Sequence, residues 1–339
     1  MDFLLSDIHT DLAAGIDALL TKADSPAVAR AWAAGDRAPA TAVFDGLAQM
    51  GVFGLLITED HDGAGAGALE MVVAAEQLGR HAVPGPLAET LAAVPRALAA
   101  AGRSEELRAI AAGRLATIAA PPIAPLAADA DAAELRYVLD EGVLSTATAT
   151  DVRSSVDTCR TVATLRSDEV LATDIDATDI VELGALATAA QLVGIGDRIL
   201  ALSSEYALAR KQFGRQIGSF QAVKHHLADV AIALEMARPL VYGAAVGFDG
   251  DGDVTTDTDP GAYRAGVSRD ISAAKVAAAD AAYLASRKGL QILGAIGYTA
   301  EHDLSIYLTK CRALVGAWGS PALHRARILT SLANLAEHP

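Results

Sequence analysis

The chain has 339 residues, 52% of them apolar and 20% charged, which is long enough for two or three domains and too apolar for a disordered chain. Its 42 acidic residues outnumber 27 basic ones, and the net charge of −15 repels a phosphate backbone, so nucleic acid is not an expected partner. Cys159 and Cys311 stand far apart with no CxxC, which indicates neither a disulfide framework nor a thiolate metal site and suits a reducing cytoplasm.

The N-terminus, "MDFLLSDIHTDLAAG", lacks the basic region and apolar run of a signal peptide. Residues 1–113 read as a helical domain. "AVFDGLAQMGVFGLL" at 42–56 ends in a glycine break, and "ALEMVVAAEQLGRHAV" at 68–83 has apolar residues at helical spacing before Pro84. Between them, "EDHDGAGAGALE" at 59–70 fails the dinucleotide spacing, because Gly63 and Gly65 require a glycine where Ala68 stands; the expectation is a flexible connection.

From 114 to 180 the texture changes to short segments rich in Val, Thr and Leu, such as "RYVLDEGVLSTATATDV", punctuated by Gly, Asp and Ser; these predict a small β domain. Helical periodicity returns over 181–339. "FQAVKHHLADVAIALEMA" puts Val223, Leu227, Val230, Ala231 and Leu234 on one face, with Ser219 as the expected cap and Gly214 as the expected stop of the preceding helix. The longest uncharged stretches, such as "LGALATAAQLVGIG" at 183–196, are shorter than the roughly 20 residues of a spanning helix, so no membrane segment is expected. The fold class is therefore mainly α with a small β domain and a helical bundle.

Two metal-like patterns fail on inspection. In "FDGDGDVTTDTDP" at 248–260, Asp249, Asp251 and Asp253 are spaced as in a calcium loop. Val254 stands where that loop needs glycine and Pro260 where it needs glutamate, which leaves an acidic solvated loop. His225, His226 and Asp229 lack a third partner at ligand spacing, so no metal is expected.

The stretch "ARKQFGRQIGSFQAVKHHLADV" at 209–230 places two arginines, an aromatic and a glutamine in one short turn. A guanidinium fork suits phosphate oxygens, and a carboxamide suits ring or ribose groups. Downstream, "KGLQILGAIGYTAEHDLSIYLTKCRAL" at 288–314 supplies Gln291 and a turn broken at Gly294 and Gly297, which lets a ligand approach the backbone.

These two stretches resemble the C-terminal domain of acyl-CoA dehydrogenases, and "GVFGLLITEDHDGAGAGALEMVVAAEQLGR" resembles their N-terminal helical domain. The resemblance implies a helical domain, a β domain and a four-helix bundle, with FAD lying across a subunit interface. It also implies that Arg210, Phe213, Phe220, Gln221, Gln291 and Gly294 reach the ADP portion of a neighbour's FAD; Ala295 stands where the family's QxxGG turn ends in glycine.

Departures from the family pattern are informative. Between 114 and 180 there is no TEPxAGSD-like segment and no tryptophan strand to hold the flavin ring; the two tryptophans are Trp32 and Trp318. The family's glutamate base stands either 27 residues after the QxxGG glutamine, where this chain has Trp318, or 26 before the RxxFG arginine, where it has Gly184. Neither can take a proton, so no catalytic residue is expected. A shortened β domain with no base resembles the smaller, base-lacking subunit of the α2β2 acyl-CoA dehydrogenases of actinobacteria, which act on CoA thioesters of steroid side chains. The implied partner is a homologous larger subunit that carries the glutamate and most of the flavin site. The alternatives are a self-sufficient homotetramer using Glu182 or Glu301 as a displaced base, or an acyl-CoA-binding scaffold without flavin.

Overall fold

Alanine-rich helices pack closely because a methyl group holds the backbones near one another, and this chain uses that property around one central rod. A computed structural model describes residues 5–250 and 260–337; Asp251, Asp253 and Val254 of the acidic run lie outside the described residues. Six helices come first: α1 (Asp7–Lys22), α2 (Ser25–Ala33), α3 (Ala38–Gln49), α4 (Ala68–Arg80), α5 (Val94–Ala100) and α6 (Ser104–Ala111), with a π-helical turn, Glu89–Ala93, leading into α5. A five-stranded sheet follows, built from β1 (Ala116–Ala119), β2 (Ala127–Ala128), β3 (Leu135–Asp140), β4 (Val143–Ser154) and β5 (Thr161–Ala172) in the order β1-β3-β4-β5-β2. Only β1 and β3 pair in parallel, Ala116 opposite Leu135; the other pairs are antiparallel.

The rest is a helical bundle. The 32-residue α7 (Thr178–Ala209) is followed by a two-stranded hairpin, β6 (Lys211–Gln212) and β7 (Arg215–Gln216). Then come α8 (Gln221–Asp249), α9 (Pro260–Leu293), α10 (Leu304–Gly316) and α11 (Pro321–Glu337). Every residue of α7 from Ile180 to Gly196 is buried, and the helix packs on α4, α8 and α9. One apolar cluster runs without a break from the first helices through this rod into the bundle, and a small second cluster of Ala119, Ala127, Ala130, Val138, Ala147 and Ala163 sits under the sheet.

Charge also ties the rod to its neighbours. The Arg238 guanidinium meets Glu76 of α4 at 3.1 Å and Asp197 of α7, and the Tyr242 hydroxyl donates to Glu76 at 2.8 Å. Burial pushes the Glu76 and Asp197 carboxyls above their usual range despite the arginine between them.

By length and composition alone α7 and α8 pass for spanning helices, as buried core helices also do, and 78% and 39% of their most apolar windows are buried within the protein. Three local expectations need correction. Phe220, not Ser219, caps α8, because the Ser219 hydroxyl turns back to donate to the Gln216 carbonyl at 2.7 Å. Gly214 does not end α7, which stops at Ala209. The connection at 59–70 is pinned rather than loose: the N–H groups of Ala64, Gly65 and Ala66 bond the carbonyls of Gly54, Ile57 and Leu55 at 2.8–2.9 Å.

Candidate functional site

The residues singled out by the resemblance fall at two places, one on the surface and one inside. On the surface, the chain leaves α7 at Arg210 and turns through Phe213 (φ 52°) and Gly214 (φ 77°), both left-handed, as a two-residue hairpin requires. Glycine adopts that conformation freely. Phenylalanine does so at a cost, and here its ring is 91% exposed. The Arg215 guanidinium lies 4.1 Å over the Phe220 ring, and Phe213 meets the same ring edge-on at 6.3 Å. Among the described residues Arg210, Lys211 and Arg215 form no ion pair, so three cations and a bare aromatic face outward together.

Gln221 opens α8 immediately after this turn. Lys288 donates to His226 Nδ1 at 2.9 Å, joining the start of α8 to the last turns of α9, where Gln291 is exposed and Gly294 (φ 65°) breaks the helix. All six residues singled out in the sequence are thus gathered at one end of the bundle. His226 serves that join. Next to Gln291, an open concavity of about 720 Å³ is lined by Tyr283, Leu284, Arg287 and Lys288.

Inside, the two positions at which the resemblance places the base meet each other. Gly184 packs directly under the Trp318 indole, and a Cβ on Gly184 would come within 2.4 Å of it. Trp318 Nε1 donates to Glu89 Oε1 at 3.0 Å. Glu182, two residues along α7 from Gly184 and so on a different face, is 3% exposed; Ser268 donates to it and Arg327 meets it at 3.2 Å, and burial pushes its carboxyl up. Glu301 is exposed in the turn before α10. The void between Glu89, Arg160, Gln191, Lys310 and Trp318 measures about 10 Å³. An open groove of about 810 Å³ between α9 and α11 is lined by both Ser268 and Arg327.

Glu89, Lys310 and Lys275 escaped the sequence reading. Their signal was present: each is a charged residue inside an apolar helical run, as in "ISAAKVAAA" around Lys275, and a buried charge implies a partner.

A helical domain, a sheet and a long-helix bundle with outward-facing cations at one end define a class, and comparison with known proteins places the chain in it. Residues 6–117 match the acyl-CoA dehydrogenase N-terminal domain and residues 176–333 the acyl-CoA dehydrogenase C-terminal domain. The chain belongs to the acyl-CoA dehydrogenase family, whose members are FAD-dependent oxidoreductases acting on acyl-CoA thioesters. The acyl-CoA dehydrogenase IpdE2 of Mycobacterium tuberculosis (strain ATCC 25618 / H37Rv) is 30% identical over 311 residues, covering 90% of this chain and 91% of that protein. Among solved structures, a chain of the ChsE4-ChsE5 complex from Mycobacterium tuberculosis has a TM-score of 0.78 at 20% identity, over 100% of this chain and 100% of that one. The Tcur3481-Tcur3483 steroid ACAD has a TM-score of 0.81 at 21% identity, over 98% of this chain and 99% of that one. At these identities the two structures establish a shared fold.

Proposed function

We propose that this chain is the smaller, non-catalytic subunit of an α2β2 acyl-CoA dehydrogenase. A homologous larger partner supplies the glutamate base and the contacts to the flavin ring. The observation that carries this reading is the contact of Gly184 with Trp318: both positions at which the family places its base are spent on packing, and neither an indole nor a bare backbone removes an α-proton. Glu182 is no substitute, since Ser268 and Arg327 already hold it.

The residues present suit one end of FAD. Arg210, Phe213, Phe220, Gln221, Gln291 and Gly294 offer a cation, aromatic faces and carboxamides toward a neighbour, the chemistry that a diphosphate and an adenosine require. The ring end does not fit within this chain, where the Trp318 indole rests on Gly184 and the void between Trp318, Glu89 and Arg160 measures about 10 Å³. When bound, FAD accepts the hydride; this chain's part is to hold its ADP portion. A partner is further supported by the stripe Ile232, Met236 and Leu240 along α8, which is 63%, 69% and 47% exposed. The substrate reading, a steroid side-chain CoA thioester, draws on the likeness to a steroid ACAD of the same fold.

The test is co-expression with a homologous, glutamate-bearing larger dehydrogenase subunit. The chain alone should lack a flavin spectrum and the co-purified complex should carry one. In that complex Arg210→Ala should lower flavin content more than it lowers the melting temperature of the flavin-depleted protein. Flavin with turnover in the chain alone would overturn the reading, and full flavin occupancy in Arg210→Ala would make the hairpin structural only.

A further inference from the structure

Two apolar faces of the bundle lie bare, and they differ in charge. Along α8, Asp229 and Glu235 stand one turn to either side of Ile232, both exposed. Glu235 shares Arg238 with Glu76 and Asp197, and Asp229 has no ion pair among the described residues. Along α11, Leu329 is 68% and Leu332 48% exposed, and beside them runs the open groove of about 810 Å³ between α9 and α11. Ala262, Ala265 and Gly266 of α9 and Leu323, Ala326 and Thr330 of α11 line it; most of them are small, which leaves room for side chains from outside.

The α11 face carries no net charge. No carboxylate occurs between Pro321 and Asn334, and both arginines of α11 and Arg269 of the facing α9 wall are matched within the chain: Arg325 with Asp280 at 2.6 Å, Arg327 with Glu182 at 3.2 Å and Arg269 with Asp270 at 3.6 Å. An anionic ligand or an anionic membrane therefore meets no unpaired arginine there, and the face suits an uncharged apolar surface. A chain of net charge −15 repels a copy of itself wherever its acids are exposed, which closes the α8 face to like pairing and leaves the α11 face open to it.

One helix supplies both what protrudes and a wall of what receives it, the self-complementarity that a two-fold contact between identical surfaces requires. We propose that the α9/α11 face joins two copies of this chain, α11 antiparallel to α11 with Leu329 at the two-fold axis. That register lays Leu332 of one copy over Ala326 of the other, in the wall of its groove, and the exposed Ala326 and Ala333, a turn to either side of Leu329, let the backbones approach. The inference rests on the α2β2 reading, which brings two such copies into one complex, and goes beyond it by assigning the contact that joins the two unlike pairs. Gly266 in the groove and Gln291 at the flavin end stand 25 residues apart on α9, about 37 Å, so the joint and the cofactor end are separable.

The experiment has two arms on the co-purified complex. Cys159 and Cys311 are buried, so Leu329→Cys gives this chain a single exposed thiol, and a short bismaleimide should link the chain to its own copy, at twice the chain's mass on a denaturing gel. Ile8→Cys, at a position 72% exposed and outside the face, should form no such link. A link from position 329 to the larger subunit, or none, overturns the proposal. In the second arm, Leu329→Arg sets two cations against each other at the axis, and sedimentation should show the four-chain complex falling to one pair of unlike chains with its flavin-to-protein ratio unchanged. Four chains retained in Leu329→Arg, or a wild-type complex of only one unlike pair, overturns the joint. Flavin loss in Arg210→Ala beside either result leaves the proposed function standing, so the two ideas fail separately.

Discussion

The carboxylate of Asp249 accepts hydrogen bonds from the backbone N–H groups of Ala68, at 2.7 Å, and Leu69, at 3.2 Å. It thus caps the first turn of α4 from 181 residues away in sequence, and Gly67 offers no side chain to do so. A negative group on otherwise unpaired N–H donors also complements the helix dipole. Asp249→Ala should therefore cost about 1–2 kcal/mol of stability, and Asp249→Asn less, because an amide oxygen still accepts. Chemical denaturation of the three proteins checks the order; equal midpoints for all three would mean that the cap is idle.

Arg238 sits between Glu76 and Asp197, and removing it takes the shared cation from one buried and one half-buried carboxylate. Arg238→Met should destabilise by about 3–5 kcal/mol, whereas the triple change Arg238→Met, Glu76→Gln, Asp197→Asn should recover most of the loss. Melting curves read both outcomes. A triple variant no better than the single one would place the effect in packing instead.

Lys275 gives the protein a signed pH dependence. Burial lowers its ammonium from 10.5 to about 7, so the folded state resists the charge that the unfolded state accepts. The penalty is fully present below about pH 7, shrinks as pH rises and is gone above about 10.5. Lys275→Met removes the titration. The stability of wild type relative to this variant should climb with pH from 7 toward 10.5, measured as paired denaturation midpoints at several pH values; a flat difference would contradict the assignment.

Phe213 holds an exposed ring on a left-handed backbone. Phe213→Gly should relax the turn and leave the flavin-depleted protein as stable or up to about 1 kcal/mol more stable, yet reduce flavin retention in the complex. Calorimetry and flavin absorbance on the same samples separate the two effects. A variant that loses stability and keeps its flavin would reverse this account.

Glu182 and Glu301 should be dispensable for chemistry. In the co-purified complex, Glu182→Gln and Glu301→Gln should leave kcat within a few-fold, while loss of a true base costs on the order of 10²-fold or more. Stopped-flow flavin reduction by a CoA thioester gives the rate directly. A hundredfold loss with flavin content unchanged would make this chain a catalyst in its own right.

The helical domain, the strand-rich middle and the bundle were legible because each rests on local periodicity: α4 fills "ALEMVVAAEQLGR" and α9 ends before Gly294, where the glycine turn was expected. Helix ends were less legible. Ser219 has the chemistry of a cap, but the hairpin turned its hydroxyl to Gln216, and no local pattern reveals that choice. The meeting of Gly184 with Trp318 joins positions 134 residues apart, and that of Trp318 with Glu89 joins positions 229 apart. Sequence spacing identified each residue of the first pair as an oddity without disclosing that the one accommodates the other. Asp249 was read with a calcium-like run, although its partners are backbone groups of α4.

The rod α7 carries Gly184 near its first turns and delivers Arg210 just past its last, 26 residues and about 39 Å along a continuous helix at 1.5 Å per residue. Groups so far apart with no shared neighbour act additively. Substitutions at the two ends are therefore mechanically independent: the interior could be rebuilt in descent without disturbing the surface hairpin, and the hairpin can be redesigned toward a new partner without reopening the core.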